Sequence, residues 1–156
     1  VVVVEFADYQ CPHCRHAHEA MAKLWPQYKD KIKLTYMDFP INRSGISRVV
    51  AEGALCANEQ DQFWGYNQLA FERQDSLNKQ SPMRIAKDLG LNMASFNSCL
   101  SSPETAAKVK ASEAEGRRLG INSTPTIFVN GKRLQIEDFH TDLTASFEKA
   151  LNQTTN

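Results

Sequence analysis

The chain has 156 residues, of which 42% are hydrophobic and 23% charged, a composition typical of a globular domain. Eighteen basic and eighteen acidic side chains cancel, and no run of like charge breaks that balance, which excludes a strong electrostatic footprint for nucleic acid or an anionic membrane. No apolar run is long enough to span a bilayer. The length predicts one domain, or one domain with an insertion. Because the chain opens in a strand without an initiating Met, we expect any export signal to have been removed.

The first part of the chain predicts a strand, a helix and a second strand. The β-branched run VVVVEF suits a strand that is covered on both faces. CRHAHEAMAKLWPQY then predicts a helix with apolar residues at helical spacing, and Pro26 should kink or shorten its end. KIKLTYMDF alternates apolar with polar residues and stops before Pro40, which is typical of a strand. Together these segments predict a βαβ unit with parallel strands and a right-handed connection.

The long stretch from Ser44 to Leu119 contains no strand-like segment and predicts four or five helices. SPMR and SPET mark helix starts, where Ser caps the helix and Pro takes the first helical position. TPTIFVNGKRLQI then predicts two short strands joined by Asn130-Gly131. EDFHTDLTASFEKAL predicts a last helix, with a polar tail that frays beyond Leu151. The order of elements predicts an α/β domain formed by residues 1–43 and 120–156, with an all-helical insertion over residues 44–119.

Two of the four cysteines lie three positions apart, with Pro12 and His13 between them, directly after the first strand. The spacing alone allows a redox pair, half of a metal site or two unrelated thiols. Cys11 should lie at the N-terminus of the first helix, where unpaired backbone amides and the helix dipole stabilise a thiolate. His13 can add a positive charge or a donor near this sulfur. Cys14, one turn further on, would be the buried partner, and this placement favours the redox pair.

His16 and His18 extend the cysteine pair to a C-x2-C-x-H-x-H set, so a copper or zinc site is an alternative. Cys14 and His18 could share one face of the helix, but His16 points elsewhere, and four tetrahedral ligands are difficult to gather from one turn. We therefore expect no metal at the pair and both histidines on the helix surface.

The segments EFADYQCPHC and GINSTPTIFVNGKRL, with the helical insertion between them, resemble the DsbA-like branch of the thioredoxin superfamily over essentially the whole chain. The resemblance implies a thioredoxin fold, βαβ…ββα, interrupted by the inserted helices. It implies that Cys11, Pro12, His13 and Cys14 form the catalytic site. A stabilised thiolate favours the reduced form of such a pair, so the corresponding disulfide is a strong oxidant.

The resemblance also assigns roles to residues around the pair. Glu5 matches an acid that the family carries beneath the active site, where an inward-facing carboxyl would have a raised pKa and could shuttle the proton of Cys14. The alternative is an ordinary carboxylate that faces water. Pro125 matches the family's cis-proline, beside which the backbone of Thr124 would pair with an extended substrate peptide. Thr124 departs from the Val-Pro of enterobacterial members, and its hydroxyl could bind the Cys11 thiolate and change the redox potential.

Cys56 and Cys99 resemble a second disulfide that several relatives carry in the insertion, and the alternative is two unrelated buried thiols. The bond would imply an oxidising, periplasmic or otherwise extracytoplasmic location. The implied function is a thiol:disulfide oxidoreductase that introduces disulfides into unfolded or partly folded exported proteins. A membrane quinone-linked partner would reoxidise it, and no cofactor or nucleic acid is implied. An exported reductase or isomerase and a metal-binding module are the alternatives.

Position along the chain suggests roles for a few further residues. Asp8, Tyr9 and Gln10 form the approach to the cysteine pair, so they are candidates for contact with substrate. Trp25 and Trp64 lie within predicted helices, and we expect both to be core or packing residues.

Overall fold

The computed structural model describes residues 1–154 and has a four-stranded sheet with helices on both faces. The strand order is β2-β1-β3-β4, with β1 and β2 parallel and the other two pairs antiparallel. β1 is therefore a central strand, which explains its continuous apolar run. The strands are β1 (Val2–Ala7), β2 (Lys33–Asp38), β3 (Thr126–Val129) and β4 (Lys132–Arg133).

Five α-helices and one 3-10 turn (Gln74–Ser76) lie between β2 and β3, a stretch in which every residue is described. The sequence predicts four or five helices here, and five are present. None of the helices within residues 1–154 is long and apolar enough to cross a membrane. The helices are α1 (Pro12–Tyr28), α2 (Ile46–Asn58), α3 (Phe63–Glu72), α4 (Ser81–Asp88), α5 (Met93–Leu100), α6 (Pro103–Arg118) and α7 (Phe139–Thr154).

The turn between β3 and β4 forms at the predicted Asn-Gly pair. Asn130 and Gly131 both adopt positive φ, 48° and 81°, the combination that a two-residue hairpin turn requires. The Asn130 side-chain oxygen also accepts a hydrogen bond from the Val2 amide at 2.8 Å. The hairpin is thereby tied to the start of the central strand.

The predicted helix caps are confirmed in one case and wrong in the other. Ser102 caps α6, and its hydroxyl accepts from the Glu104 amide. Ser81 is instead the first residue of α4, preceded by Gln80 as the cap. Its hydroxyl accepts from the Asn78 amide at 2.8 Å, so the turn before the helix takes the side chain that would have capped it.

The apolar stripe of α7 packs against α1 and one face of the sheet. Leu143 and Phe147 are completely buried, and the Phe147 ring meets the Tyr28 ring of α1 edge to face at 5.2 Å. α7 is helical to Thr154, so the predicted fraying does not begin at Leu151. Positions 155 and 156 of the predicted tail lie outside the described residues. The architecture is the α/β fold with inserted helices that the sequence predicts.

A disulfide joins Cys56 of α2 to Cys99 of α5, with the two Cα atoms 5.7 Å apart. Cys56 is 1% exposed and belongs to the core of the helical segment. The two cysteines are separated by 43 positions, so the bond closes a loop that contains the end of α2, all of α3 and α4, and most of α5. A cross-link of this length limits the conformations of the unfolded chain.

We predict that losing this bond lowers the free energy of unfolding by up to about 4 kcal/mol, the loop-entropy value for this separation. The test is urea unfolding of the Cys56→Ala/Cys99→Ala protein in a Cys11→Ala/Cys14→Ala background, which leaves no other thiols. The background protein treated with a reductant serves as the matched control and should lose the same amount. An unchanged urea midpoint and slope in both would contradict the prediction.

Candidate active site

Cys11 lies at the junction between β1 and α1. It is the N-cap residue of α1, with an extended backbone (φ −81°, ψ 120°), and Pro12 takes the first helical position. The Cys11 amide donates to the Asp8 carbonyl at 3.1 Å, and the Cys14 amide donates to the Cys11 carbonyl at 3.1 Å. Pro12 and His13 are exposed beside it. The sulfur therefore lies at the positive end of the helix dipole, where a thiolate is favoured.

The environment of Cys11 lowers its pKa from 9.0 to about 5. A hydrogen bond from the Cys14 thiol is the largest cause, while partial burial acts in the opposite direction. The Thr124 side chain and the backbone amides of Cys14 and His13 lower the pKa further. Cys11 is therefore a thiolate at neutral pH, the form that attacks disulfides and leaves from them readily.

Cys14 has the opposite preference. It is completely buried, and burial is the largest cause that raises the pKa of its thiol far above the usual range. A hydrogen bond to Cys11 raises the pKa further, and the Asp8 amide, which donates to the Cys14 sulfur at 3.5 Å, opposes the shift. Both cysteines are free thiols in this structure. The reduced pair thus holds one negative charge on Cys11 and one proton on Cys14.

The peptide bond between Thr124 and Pro125 is cis and lies against the cysteine pair. The Thr124 carbonyl oxygen lies 3.4 Å from the Cys11 sulfur, where it accepts a hydrogen bond from Cys11 only when the thiol is protonated. The Thr124 hydroxyl is buried and has no hydrogen-bond partner of ordinary geometry among the described residues, yet the side chain lowers the pKa of both cysteines. The segment before β3 therefore brings polar atoms to the sulfur that a substrate must reach.

Glu5 has the inward orientation, one of the two that its sequence position allows. Its side chain is 6% exposed, and Oε1 has no hydrogen-bond partner among the described residues. Burial raises the pKa of Glu5 from 4.5 to about 7, and the nearby charge of Cys11 adds to the shift. A buried carboxyl with this pKa exchanges its proton near neutral pH.

The loop before Cys11 is structural, and the predicted contact with substrate is wrong for two of its residues. Asp8 and Tyr9 are only 2% and 1% exposed. The Asp8 carboxylate accepts hydrogen bonds from the amides of Gln10, Ile41 and Asn42 at 2.8, 2.9 and 3.0 Å. A short acidic side chain after a strand can satisfy backbone donors of two loops at once, and here it joins the loop of the cysteines to the segment after β2.

Gln74 holds the same loop from the helical segment, a role that no sequence pattern indicates. Its side-chain amide donates to the carbonyls of Tyr9 and Cys11, both at 2.9 Å. Asn67 of α3 donates to the Tyr9 hydroxyl at 3.1 Å. These partners are about sixty residues away in the chain, so no local pattern could have identified them.

The two histidines of α1 have different environments. His16 is exposed as predicted, but His18 is half-buried and stacks on Phe71 of α3, with ring centroids 5.0 Å apart. The surface position predicted for His18 is therefore wrong, because α3 packs across that face of α1. Burial is the main cause that lowers the pKa of His18. Within residues 1–154, no group of three or more His, Cys, Asp or Glu side chains is placed to hold a metal ion.

Both tryptophans are partly exposed, so of the two predicted possibilities, core or packing residue, the core position is excluded. Trp25 and Trp64 have 37% and 49% of their surface accessible. Trp25 lies one position beyond Leu24 of the buried stripe of α1, and Trp64 packs edge to face on Phe63 at 4.8 Å. The two indoles line an open groove between α1 and α3.

Solved structures of thioredoxin-like oxidoreductases have this fold. The thioredoxin-like oxidoreductase of Silicibacter pomeroyi has 27% identity and a TM-score of 0.78, with 97% of this chain and 86% of that chain covered. BdbD of Bacillus subtilis has 24% identity and a TM-score of 0.84, covering 97% and 87% of the two chains. α-DsbA1 of Wolbachia pipientis has 20% identity and a TM-score of 0.86, covering 99% and 87%. The fold of this chain, with its inserted helices, is the fold of these thioredoxin-like proteins.

The sequence model of the family described as Thioredoxin matches residues 1–151, so the chain belongs to the thioredoxin family. Among curated proteins, the Na(+)/H(+) antiporter NhaA of Herminiimonas arsenicoxydans is 29% identical over 135 residues, which are 86% of this chain and 21% of that protein. NhaA 3 of Salinispora tropica is 31% identical over 134 residues, 85% of this chain and 20% of that protein. The chain spans about a fifth of the length of these curated relatives.

We predict that the Cys14→Ala substitution raises the pKa of Cys11 by about one unit or more, because it removes the hydrogen bond that lowers this pKa most. The pKa is measured from the ultraviolet absorbance of the thiolate as a function of pH. Since Cys56 and Cys99 form a disulfide, Cys11 is the only free thiol in this variant. An unchanged or lower pKa would contradict the assignment of Cys14 as the main donor.

We predict that Glu5→Gln makes the stability of the protein less dependent on pH. The pKa of Glu5 is raised in the folded state, so its contribution is complete below pH 4.5 and is lost as the pH rises through about 7. The neutral amide has no such loss, and the variant should be more stable than the parent by about 3 kcal/mol at pH 8 and equal to it at pH 4.

Urea unfolding at a series of pH values measures this difference. The matched control is Glu59→Gln, which removes an exposed carboxylate at the end of α2 and should leave the pH dependence unchanged. A difference between Glu5→Gln and the parent that does not change with pH would show that Glu5 is not the titrating group.

Proposed function

We propose that this chain donates the Cys11–Cys14 disulfide to pairs of thiols in exported proteins. The opposite pKa shifts of the two cysteines carry this proposal. A pair with one stabilised thiolate is more stable reduced than an ordinary dithiol, and its disulfide is correspondingly more oxidising. The pKa of about 5 at Cys11 supports a disulfide donor over a reductant.

The exchange proceeds in two balanced steps. A substrate thiolate attacks the Cys11 sulfur, the Cys11–Cys14 bond breaks, and Cys14 leaves as a thiolate that takes up a proton. A second substrate thiolate then attacks the substrate sulfur of the mixed disulfide and expels Cys11, which remains a thiolate. Two electrons pass from the substrate to the enzyme, and the substrate gains one disulfide. Glu5, buried beneath the pair, is the proposed proton donor to Cys14.

The backbone around Thr124 is the proposed contact for substrate. Thr124 and Pro125 are half-buried, and the Thr124 carbonyl lies 3.4 Å from the Cys11 sulfur. An extended peptide that follows this backbone would bring a cysteine to Cys11 without requiring a folded substrate. The Thr124 side chain, which already lowers the pKa of both cysteines, would tune the leaving-group quality of the pair.

The proposed location is the periplasm or another extracytoplasmic compartment. The Cys56–Cys99 disulfide supports it, because such bonds persist in oxidising compartments and are rare in the cytosol. Repeated turnover needs an external oxidant for the reduced pair, and we propose a membrane quinone-linked partner for that step. The exchange itself uses only the sulfurs of the protein and needs no cofactor.

The experiment is equilibration in a glutathione redox series, followed by acid quenching, alkylation of free thiols and counting by mass. We expect Cys11–Cys14 to be reduced at an oxidising potential, above about −180 mV, while Cys56–Cys99 remains intact. A parallel assay measures the oxidation of a reduced, unfolded substrate protein, with Cys11→Ser as the control. Reduction only near the thioredoxin value of about −270 mV would reject the donor and indicate an exported reductase.

A further inference from the structure

Asp8 is a buried acidic residue that the exchange chemistry above does not use. It follows β1 directly, lies three positions before Cys11 and is only 2% exposed. Removing a carboxylate from water is costly unless hydrogen bonds inside the protein replace those of the solvent. The contacts of Asp8 therefore explain both why the acid is tolerated and what its backbone does.

The backbone of Asp8 contacts both cysteines of the pair. Its amide donates to the Cys14 sulfur, with 3.5 Å between nitrogen and sulfur. Its carbonyl accepts a hydrogen bond from the Cys11 amide at 3.1 Å. The bond to Cys14 is the only hydrogen bond that the Asp8 amide donates within residues 1–154. This N–H group is therefore directed at the sulfur that leaves when the disulfide is reduced.

Four hydrogen bonds hold the side chain of Asp8 in place. Oδ2 accepts from the amides of Ile41 and Asn42, and Oδ1 accepts from the amide of Gln10. The hydroxyl of Ser47, which is buried at the start of α2, donates to Oδ1 as well. Hydrogen bonds to an ionised carboxylate are about twice as strong as those between neutral groups. The side chain thus fixes the position of the residue and the direction of its amide.

Cys14 needs a hydrogen-bond donor at the moment when it leaves. Breaking the disulfide places a negative charge on a sulfur that is completely buried. Burial is the largest cause that raises the pKa of the Cys14 thiol, and the Asp8 amide is the largest cause that lowers it. A thiol with a lower pKa leaves faster, so a donor at Cys14 accelerates the step that expels it. Fixed donors act on developing charge in the same way in the oxyanion holes of acyl-transfer enzymes.

We propose that the Asp8 amide stabilises the negative charge that develops on Cys14 when the disulfide breaks, and that the Asp8 carboxylate holds this amide in place. A substrate thiolate attacks the Cys11 sulfur, a new sulfur–sulfur bond forms there, and the electron pair of the Cys11–Cys14 bond passes to Cys14. The amide hydrogen bond strengthens as this charge grows. The amide touches a reacting atom, whereas the side chain is a positioning group. This inference rests on the proposed thiol–disulfide exchange.

A backbone ester at residue 8 removes this N–H group and leaves every side chain in place. The position of Cys11 permits the synthesis, because a peptide thioester of residues 1–10 can be ligated to residues 11–156, which begin with that cysteine. The α-hydroxy counterpart of aspartate replaces Asp8 in the synthetic segment. The same ligation with ordinary aspartate gives the parent protein.

An ester at residue 9 is the matched control. Each ester weakens one carbonyl that accepts a backbone hydrogen bond: that of Ala7, which accepts from Phe39, or that of Asp8, which accepts from Cys11. The Tyr9 amide donates no hydrogen bond within residues 1–154, so the control ester removes none. The difference between the two esters therefore reports the N–H group that is directed at Cys14.

Two rates are measured at pH 8, where Cys11 is ionised. In the single-turnover reduction of the oxidised protein by a peptide thiol, Cys14 leaves; in the alkylation of Cys11 in the reduced protein, it does not. We expect the ester at residue 8 to slow reduction about tenfold, less than the loss of an oxyanion-hole donor costs, because sulfur is a weaker acceptor than oxygen. Alkylation should change by less than about twofold, and the control ester should slow reduction by less than about threefold.

Asp8→Asn tests the positioning role of the carboxylate. Its side-chain NH2 group would face backbone donors that now point at an acceptor, so we expect the amide to move away from Cys14 and reduction to slow more than alkylation. Asp30→Asn is the matched control, because it removes an exposed carboxylate from the turn after α1. Thermal unfolding checks that each protein is folded.

Reduction of the residue 8 ester within twofold of the parent would overturn the proposal. Equal slowing by the two esters, or equal slowing of reduction and alkylation, would also overturn it, since either pattern reports an altered loop. If the ester protein does not fold, Asp8→Asn decides by the same comparison of the two rates. The parent protein alone tests the exchange reaction: a disulfide that does not react with the peptide thiol would reject the proposed function, irrespective of the variants.

Discussion

The different environments of two thiols one helical turn apart are the constraint on which the rest of this structure depends. Cys11 lies where α1 begins, and there backbone amides and the Cys14 thiol stabilise a negative charge. Cys14 lies on the buried side of the same helix, where burial holds its proton. Both environments require that β1 pass into α1 along one fixed path. The Asp8 carboxylate, which accepts from a backbone amide, and the Gln74 side chain, which donates to backbone carbonyls, fix that path from two sides.

The helices between β2 and β3 are consequently part of the active site and not an independent addition to it. α3 supplies Phe71, which stacks on His18, and Asn67, which donates to the hydroxyl of Tyr9. The 3-10 turn after α3 supplies Gln74 to the carbonyl of Cys11. The Cys56–Cys99 bond joins α2 to α5 within the same segment. A cross-link there steadies the group of helices that holds the loop of the reactive sulfur.

The sequence was sufficient for the features that depend on local patterns, and insufficient for those that depend on packing across the chain. The βαβ unit, the Asn130-Gly131 turn and the stripe of α7 follow from periodicity and backbone preference, which neighbouring residues determine. The burial of Asp8 and Tyr9 does not, because it requires the segment after β2 and the side chains of α3 to close over the loop. Trp25 shows the converse: hydrophobicity allows a core position, but Met21, Leu24 and Tyr28 already form the buried stripe of α1.

The cysteine pair and Glu5 are coupled electrostatically, because a negative charge on one of them disfavours a negative charge on the other. The charge of Cys11 raises the pKa of Glu5, so reduction of the disulfide increases the affinity of Glu5 for a proton at the moment when Cys14 also requires one. Oxidation removes the Cys11 charge, which lowers the affinity of Glu5 for a proton, and it releases the proton of the Cys14 thiol. A buried site does not hold two unpaired negative charges without a large desolvation cost, so electrons and protons must enter it together. Glu5 is only 6% exposed and cannot exchange its proton directly with bulk water at its own surface. The two thiols and the carboxyl therefore act as one unit, in which the charge of Cys11 raises the affinity of both Glu5 and Cys14 for a proton.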